Sequence, residues 1–196
     1  MATIRLSYRT MITKVVIGAG VTKLTNNAFC GCINLTEAEF AENSSLTMIG
    51  GGAFKSCSSL ESIQLPEGLT TISGNAFKYC RSLREVYLPN TISQIDGLAF
   101  TGLSDVTFSV AYGSYAKSWA ESQGFAYVER EPAQIASGTC GENLSWTLGS
   151  DGLLTIDGTG SMATYYGETN IPWYAYREMI TKVVIGAGVT KLTNNA

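Results

Sequence analysis

The chain has 196 residues, 45% of them hydrophobic, enough to bury the core of one or two small domains. Its 13 basic and 16 acidic residues give a net charge of −3, and no run of Lys or Arg forms a stripe that would neutralise phosphates, so nucleic acid is set aside as a partner. The absence of histidine excludes His-dependent triads and the usual zinc sites, and five cysteines, an odd number, cannot all pair within one chain.

The opening "MATIRLSYRT" lacks the apolar stretch of a secretory signal, and no segment approaches the roughly 20 apolar residues of a membrane helix. Residues 1–11 read as a truncated lead-in segment. Four related segments follow over 12–105: ITKVVIGAGVTKLTNNAFCGCIN, LTEAEFAENSSLTMIGGGAFKSCSS, LESIQLPEGLTTISGNAFKYCRS and LREVYLPNTISQIDGLAFTGLSD. They are 23, 25, 23 and 23 residues long, and the second takes its two extra residues in the polar "AENSSL". The apolar positions recur, most clearly as Leu60, Ile63, Leu65, Leu69, Ile72, Ala76, Phe77 and Cys80. No single segment buries such a face alone, whereas stacked neighbours form a continuous core. The alternation around "xxVxL" predicts a short half-buried strand in each repeat, and successive strands predict a parallel sheet.

The pattern LxxVxLPxxLTxIgxxAFxxCxs resembles the BspA-like leucine-rich repeats of bacterial surface proteins. The resemblance implies a repeat solenoid with a parallel β-sheet on one face and short helical or irregular turns elsewhere. It also implies that Phe29, Phe54, Phe77 and Phe100, with Cys32, Cys57 and Cys80, point inward. Leu103 stands at the Cys position of the fourth repeat, which favours packing over metal or redox chemistry for the thiol column. Cys30 and Cys140 are off that column, and their pairing stays open.

After the repeats, 106–131 reads as a C-terminal cap. Ser114 is the expected N-cap of a helix over 115–123, Tyr115, Ala116, Trp119 and Ala120 its inward face, Gly124 its stop, and "FAYV" a last strand. Residues 132–139, Pro- and Ser-containing, read as a linker. "NLSWTLGSDGLLTIDG" then predicts a β-hairpin within a small β-rich lead-in module over 140–178, which resembles the module preceding such repeats. Its aromatic cluster Tyr165, Tyr166, Trp173, Tyr174 and Tyr176 suits a hydrophobic plug better than a sugar platform. Residues 179–196 form the first half of a further repeat. From Tyr8 and Tyr176 onward the two copies agree at 20 of 21 positions, differing only at Thr10 and Glu178, which points to a duplicated supra-unit.

The third and fifth positions of each repeat are expected to face solvent on the sheet. They give a candidate ligand-binding sheet face of Lys14, Glu37, Glu39, Ser62, Gln64, Glu85 and Tyr87, with Val16 beside them. Glu37 and Glu39, two residues apart on one strand, stand about 6.6 Å apart, within reach of an inverting glycosidase pair. A flat sheet, however, supplies no cleft to raise one pKa. The expectation is a non-catalytic chain with no cofactor and no metal. The resemblance implies a secreted or surface-displayed adhesion module that binds an extracellular matrix or cell-surface protein, with no membrane insertion in these residues. The alternative is a structural spacer or self-associating array, with end-to-end contact through 179–196.

Overall fold

The computed structural model describes residues 6–193, so the outermost parts of the 1–11 and 179–196 segments lie outside the described residues. The chain forms two compact units, Met1–Arg130 and Glu131–Ala196.

The first unit opens with the helical turn α1 (Leu6–Arg9), then repeats one plan four times. Each repeat has a longer strand, a turn, and a two-residue strand. The pairs are β1 (Lys14–Ile17) and β2 (Lys23–Leu24), β3 (Glu37–Phe40) and β4 (Met48–Ile49), β5 (Ser62–Gln64) and β6 (Thr71–Ile72), and β7 (Glu85–Tyr87) and β8 (Gln94–Ile95). β9 (Thr107–Ala111), α2 (Tyr115–Gln123) and β10 (Ala126–Arg130) follow. All strand pairs of this unit are parallel. The short strands form one row, β2-β4-β6-β8. This is the β-solenoid that the period implies.

The core follows from the repeated apolar positions. Leu60, Ile63, Leu65, Leu69, Ile72, Ala76, Phe77 and Cys80 are all buried. The Phe side chains form a column: centroids are 5.2 Å apart for Phe54–Phe77 and 4.9 Å for Phe77–Phe100, with planes within 7°. Their turns are laddered too, since Phe54 N donates to Ala76 O at 2.8 Å and Phe77 N to Ala99 O at 2.8 Å. Cys32, Cys57 and Cys80 are fully buried, and the thiols of Cys57 and Cys80 donate to the carbonyls of Phe29 (3.3 Å) and Phe54 (3.0 Å) in the preceding repeat. All five cysteines, including Cys30 and Cys140, are free thiols.

Two expectations need correction in this unit. The longer strands do not make one sheet: β1-β3 and β5-β7-β9-β10 are separate ladders. The break falls between the repeat with two extra residues and the next one, while the short-strand row stays continuous across it. Helix α2 has the expected caps, with Ser114 accepting from Lys117 N and Gly124 left-handed at φ 72°. Ala116, Trp119 and Ala120 are buried, but Tyr115 is exposed. The hydroxyl that makes an inward Tyr115 costly instead accepts from Ile95 N at 3.3 Å near the surface.

In the second unit, β11 (Gln134–Thr139), β12 (Leu144–Gly149) and β13 (Leu153–Gly158) form an antiparallel meander. β14 (Gly160–Ser161) comes next, and after two 3-10 turns come β15 (Lys182–Ile185) and β16 (Val189–Lys191). β15 pairs with β13 in parallel, and β16 with β14. The 132–139 segment is therefore largely a strand and not a linker. It is an edge strand paired on one side only, so its composition is loosely constrained, and it carries a bulge between Gln134 and Ala136. Gly138 is required there, because a β-carbon would meet the Trp146 ring nitrogen at 2.8 Å. Trp146, Trp173, Leu144, Leu148, Leu154, Ile156, Met162 and Cys140 make the core. Tyr165 and Tyr176 pack against it, whereas Tyr166 is exposed, so only part of the aromatic cluster plugs the unit.

A candidate binding face on the longer strands

Strand geometry puts alternate residues on opposite faces, and the repeats assign the apolar set to the core. What remains outside follows from register. Lys14 lies beside Glu37 and Val16 beside Glu39 on the first ladder. On the second, Ser62, Glu85 and Thr107 form one outward row, and Gln64, Tyr87, Ser109 and Val128 form the next. The seven sequence-selected residues are thus solvent-facing, six of them exposed and Tyr87 half-buried. They fall into two groups: Lys14, Glu37 and Glu39 on one ladder, Ser62, Gln64, Glu85 and Tyr87 on the other.

The first group is an ion cluster. Lys14 Nζ lies 3.1 Å from Glu37 and 2.8 Å from Glu39. Hydrogen bonding to Lys14 holds the Glu39 carboxyl below its ordinary range, and the same bond raises Lys14. A general acid needs the opposite shift, a raised carboxyl pKa. Glu39 is therefore not tuned to serve as a general acid.

The second group centres on Tyr87, and four residues that the period did not select complete it. The Tyr87 hydroxyl donates to Glu67 Oε1 at 2.7 Å. The Arg130 guanidinium stacks on the ring at 3.8 Å from its centroid. Arg130 is itself fixed, donating to Ser109 Oγ (3.0 Å) and Leu88 O (2.8 Å). Burial and the Glu67 bond raise the Tyr87 pKa, so the phenol remains a donor across physiological pH. An aromatic ring held on both its face and its hydroxyl has little rotamer entropy left to lose on binding.

Open depressions flank this tyrosine. One, about 620 Å³, runs over Ser62, Gln64, Glu85, Tyr87, Thr107 and Val128. The other, about 660 Å³, lies at the break between the ladders, lined by Val16, Phe40, Glu39, Glu42, Gln64 and Glu67 among others. Among the described residues no group of His, Cys, Asp or Glu is arranged to hold a metal ion. No described helix is long and apolar enough to cross a membrane.

The BspA type leucine rich repeat region, in six copies, matches residues 6–117, and the chain belongs to that family. A leucine-rich repeat protein from Bacteroides ovatus ATCC 8483 superposes with TM-score 0.53 at 26% identity, covering 62% of this chain and 31% of its own. The leucine rich repeat protein of T. pallidum aligns at 25% identity and TM-score 0.42, over 50% of this chain and 58% of its own. A leucine rich cell surface protein from Faecalibacterium prausnitzii A2-165 aligns at 19% identity and TM-score 0.40, over 92% of this chain and 56% of its own. The chain spans less than two thirds of each of these proteins. No curated protein matches it. Repeats of this class are in general protein-interaction modules.

Proposed function

We propose that this chain is a non-catalytic, adhesion-type binding module, secreted or displayed at the cell surface in its full-length protein. It grips an extracellular matrix or cell-surface protein through the face formed by Lys14, Glu37, Glu39, Ser62, Gln64, Glu85 and Tyr87. The observation that carries this reading is the clamped Tyr87, with Glu67 on its hydroxyl and Arg130 on its ring, between two open depressions. Tyr and Arg are the residues most enriched at energetic centres of interfaces. A purely solvated sheet face has no need to immobilise an aromatic ring.

The carboxylates of Glu39, Glu42 and Glu67 in the cleft between the ladders favour basic side chains on the partner. The test is a binding assay against immobilised extracellular matrix proteins at two salt concentrations. Binding that weakens at high salt and is lost in Tyr87→Ala supports the face. A matrix protein bound equally by Tyr87→Ala and Gln64→Ala variants rules it out.

A second reading, a spacer or self-associating array, is favoured by one observation. Val183, Val184 and Ile185 on the edge strand β15, and Leu192 just after β16, are exposed apolar residues of the second unit. Sedimentation over a concentration series separates the two readings, since a strict monomer that binds matrix protein excludes an array.

A further inference from the structure

All four repeats bend into the left-handed backbone region two residues after the inward Phe, at Gly31 (φ 76°), Ser56 (φ 61°), Tyr79 (φ 64°) and Gly102 (φ 84°). Glycine suits that conformation and a bulky side chain rarely adopts it, so Tyr79 is the outlier of the column. Neighbouring rungs fix the turn, with Ser56 N donating to Lys78 O (2.8 Å) and Tyr79 N to Thr101 O (3.1 Å). The ring is nevertheless not buried: Tyr79 is 41% exposed, and its hydroxyl makes no hydrogen bond among the described residues. The next rung leaves room for it, because a β-carbon on Gly102 would meet the ring at 2.7 Å. A strained aromatic that gains neither full burial nor a hydroxyl partner points to a role at the surface.

Its surroundings are basic. Lys78 Nζ lies 4.9 Å from the Tyr79 ring centroid. Lys55 and Lys78 each follow the inward Phe directly, so their backbones stand one rung, about 4.8 Å, apart. Arg81, two residues after Tyr79, is exposed. Lys55, Lys78 and Arg81 make no ion pair among the described residues. The turns over 50–59 and 73–82 carry these three cations and no Asp or Glu, although the whole chain has a net charge of −3. Ser56, Ser59 and Ser82 add hydroxyls to the same turns.

We propose that this turn edge is a binding site for an anionic glycan, one with sulfate or carboxylate groups on successive sugars. Lys55, Lys78 and Arg81 meet its anionic groups through charge-assisted hydrogen bonds. The exposed surface of Tyr79 packs against the C–H face of a pyranose, and its hydroxyl bonds to a sugar oxygen. Cations held one rung apart on an open surface suit a polymer with repeated charges better than a single small anion, which needs an enclosing set of donors. A single-stranded nucleic acid also combines flat rings with anions, but it calls for a basic groove with several aromatic platforms, and Tyr79 is the one aromatic among the four equivalent positions. The site is separate from the sheet face, because none of its residues belong to that face.

The test titrates a fluorescently labelled heparin octasaccharide with the intact chain at low ionic strength. Saturable binding is expected, weakened about three- to tenfold by Tyr79→Gly, and at least about tenfold when Lys55, Lys78 and Arg81 are all changed to Gln. Glycine adopts the left-handed turn without strain, so a loss of binding in Tyr79→Gly is not a loss of fold. A neutral oligosaccharide should not compete. Tyr87→Ala should bind the octasaccharide as the native chain does, which keeps this outcome apart from that of the sheet face. Four results overturn the proposal: no saturable binding up to about 1 mM chain, native affinity in Tyr79→Gly, equal affinity for a single-stranded oligonucleotide of the same charge, or an equal loss when Lys182 and Lys191 are changed to Gln instead, which would mean attraction to positive charge anywhere on the chain.

Discussion

Lys14 stands between two carboxylates on an exposed strand, and its effect is electrostatic and local. Glu39 has a folded-state pKa below its ordinary value, so its contribution to stability is present above the unfolded-state pKa and fades as pH falls through the folded one. In Lys14→Met the Glu39 carboxyl should move back up toward the usual range, which a carboxyl NMR titration reads directly. An unmoved Glu39 would mean that Lys14 is not its partner in solution. The cysteines make an equally local prediction. Burial raises Cys32 and Cys140, and a neighbouring Cys80 thiol together with burial raises Cys57. With thiolate formation suppressed at Cys32, Cys57 and Cys140 and four thiols buried, only Cys30 should react with a thiol reagent in the native chain. Unfolding should expose all five. The sequence showed the thiol column through its alignment with Leu103, but not that the thiols hydrogen-bond the preceding Phe carbonyls, because that contact crosses a rung.

The repeat and the capping helix are stabilised by different devices. Phe77 lies in a stacked column with Phe54 and Phe100, and truncating it leaves a void between rungs. Phe77→Ala should cost about 3–5 kcal/mol in chemical denaturation. Ser114→Ala removes the cap of α2 and should cost about 1 kcal/mol. At this scale the legible features were periodic or local: the repeat length, the inward Phe, the hairpin, and the Ser114 and Gly124 caps. The strand at Gln134–Thr139 was missed because its pairing is with Leu144–Gly149, its own text carries Ser and Gly, and Pro132 stands just before it. Its one informative residue was Gly138, intelligible only once Trp146 is seen lying against it.

For the whole molecule, the solenoid was readable from one period, since stacking leaves few other ways to bury the recurring Leu, Ile and Phe positions. The outward strand positions were readable too, from the alternation alone. The split between ladders was not, although the two extra residues of the second repeat marked its place. Nor was the Tyr87 clamp, whose Glu67 and Arg130 lie 20 residues before and 43 after it and come together only through the stacking of β5, β7, β9 and β10. A face with a fixed aromatic ring at its centre binds through few residues, so substitutions there should be unequal. Gln64→Ala and Tyr87→Ala should matter more than Glu37→Ala, whose carboxylate shares Lys14 with Glu39.

The most direct measurement is the affinity of the native chain and of Tyr87→Ala for immobilised extracellular matrix proteins, with circular dichroism confirming that the variant keeps its fold. The account predicts a matrix ligand for the native chain and a loss of at least about tenfold in the variant, the range expected when an anchoring tyrosine is truncated. Native and variant chains that bind such a ligand equally, or a native chain that binds none of them, would contradict it.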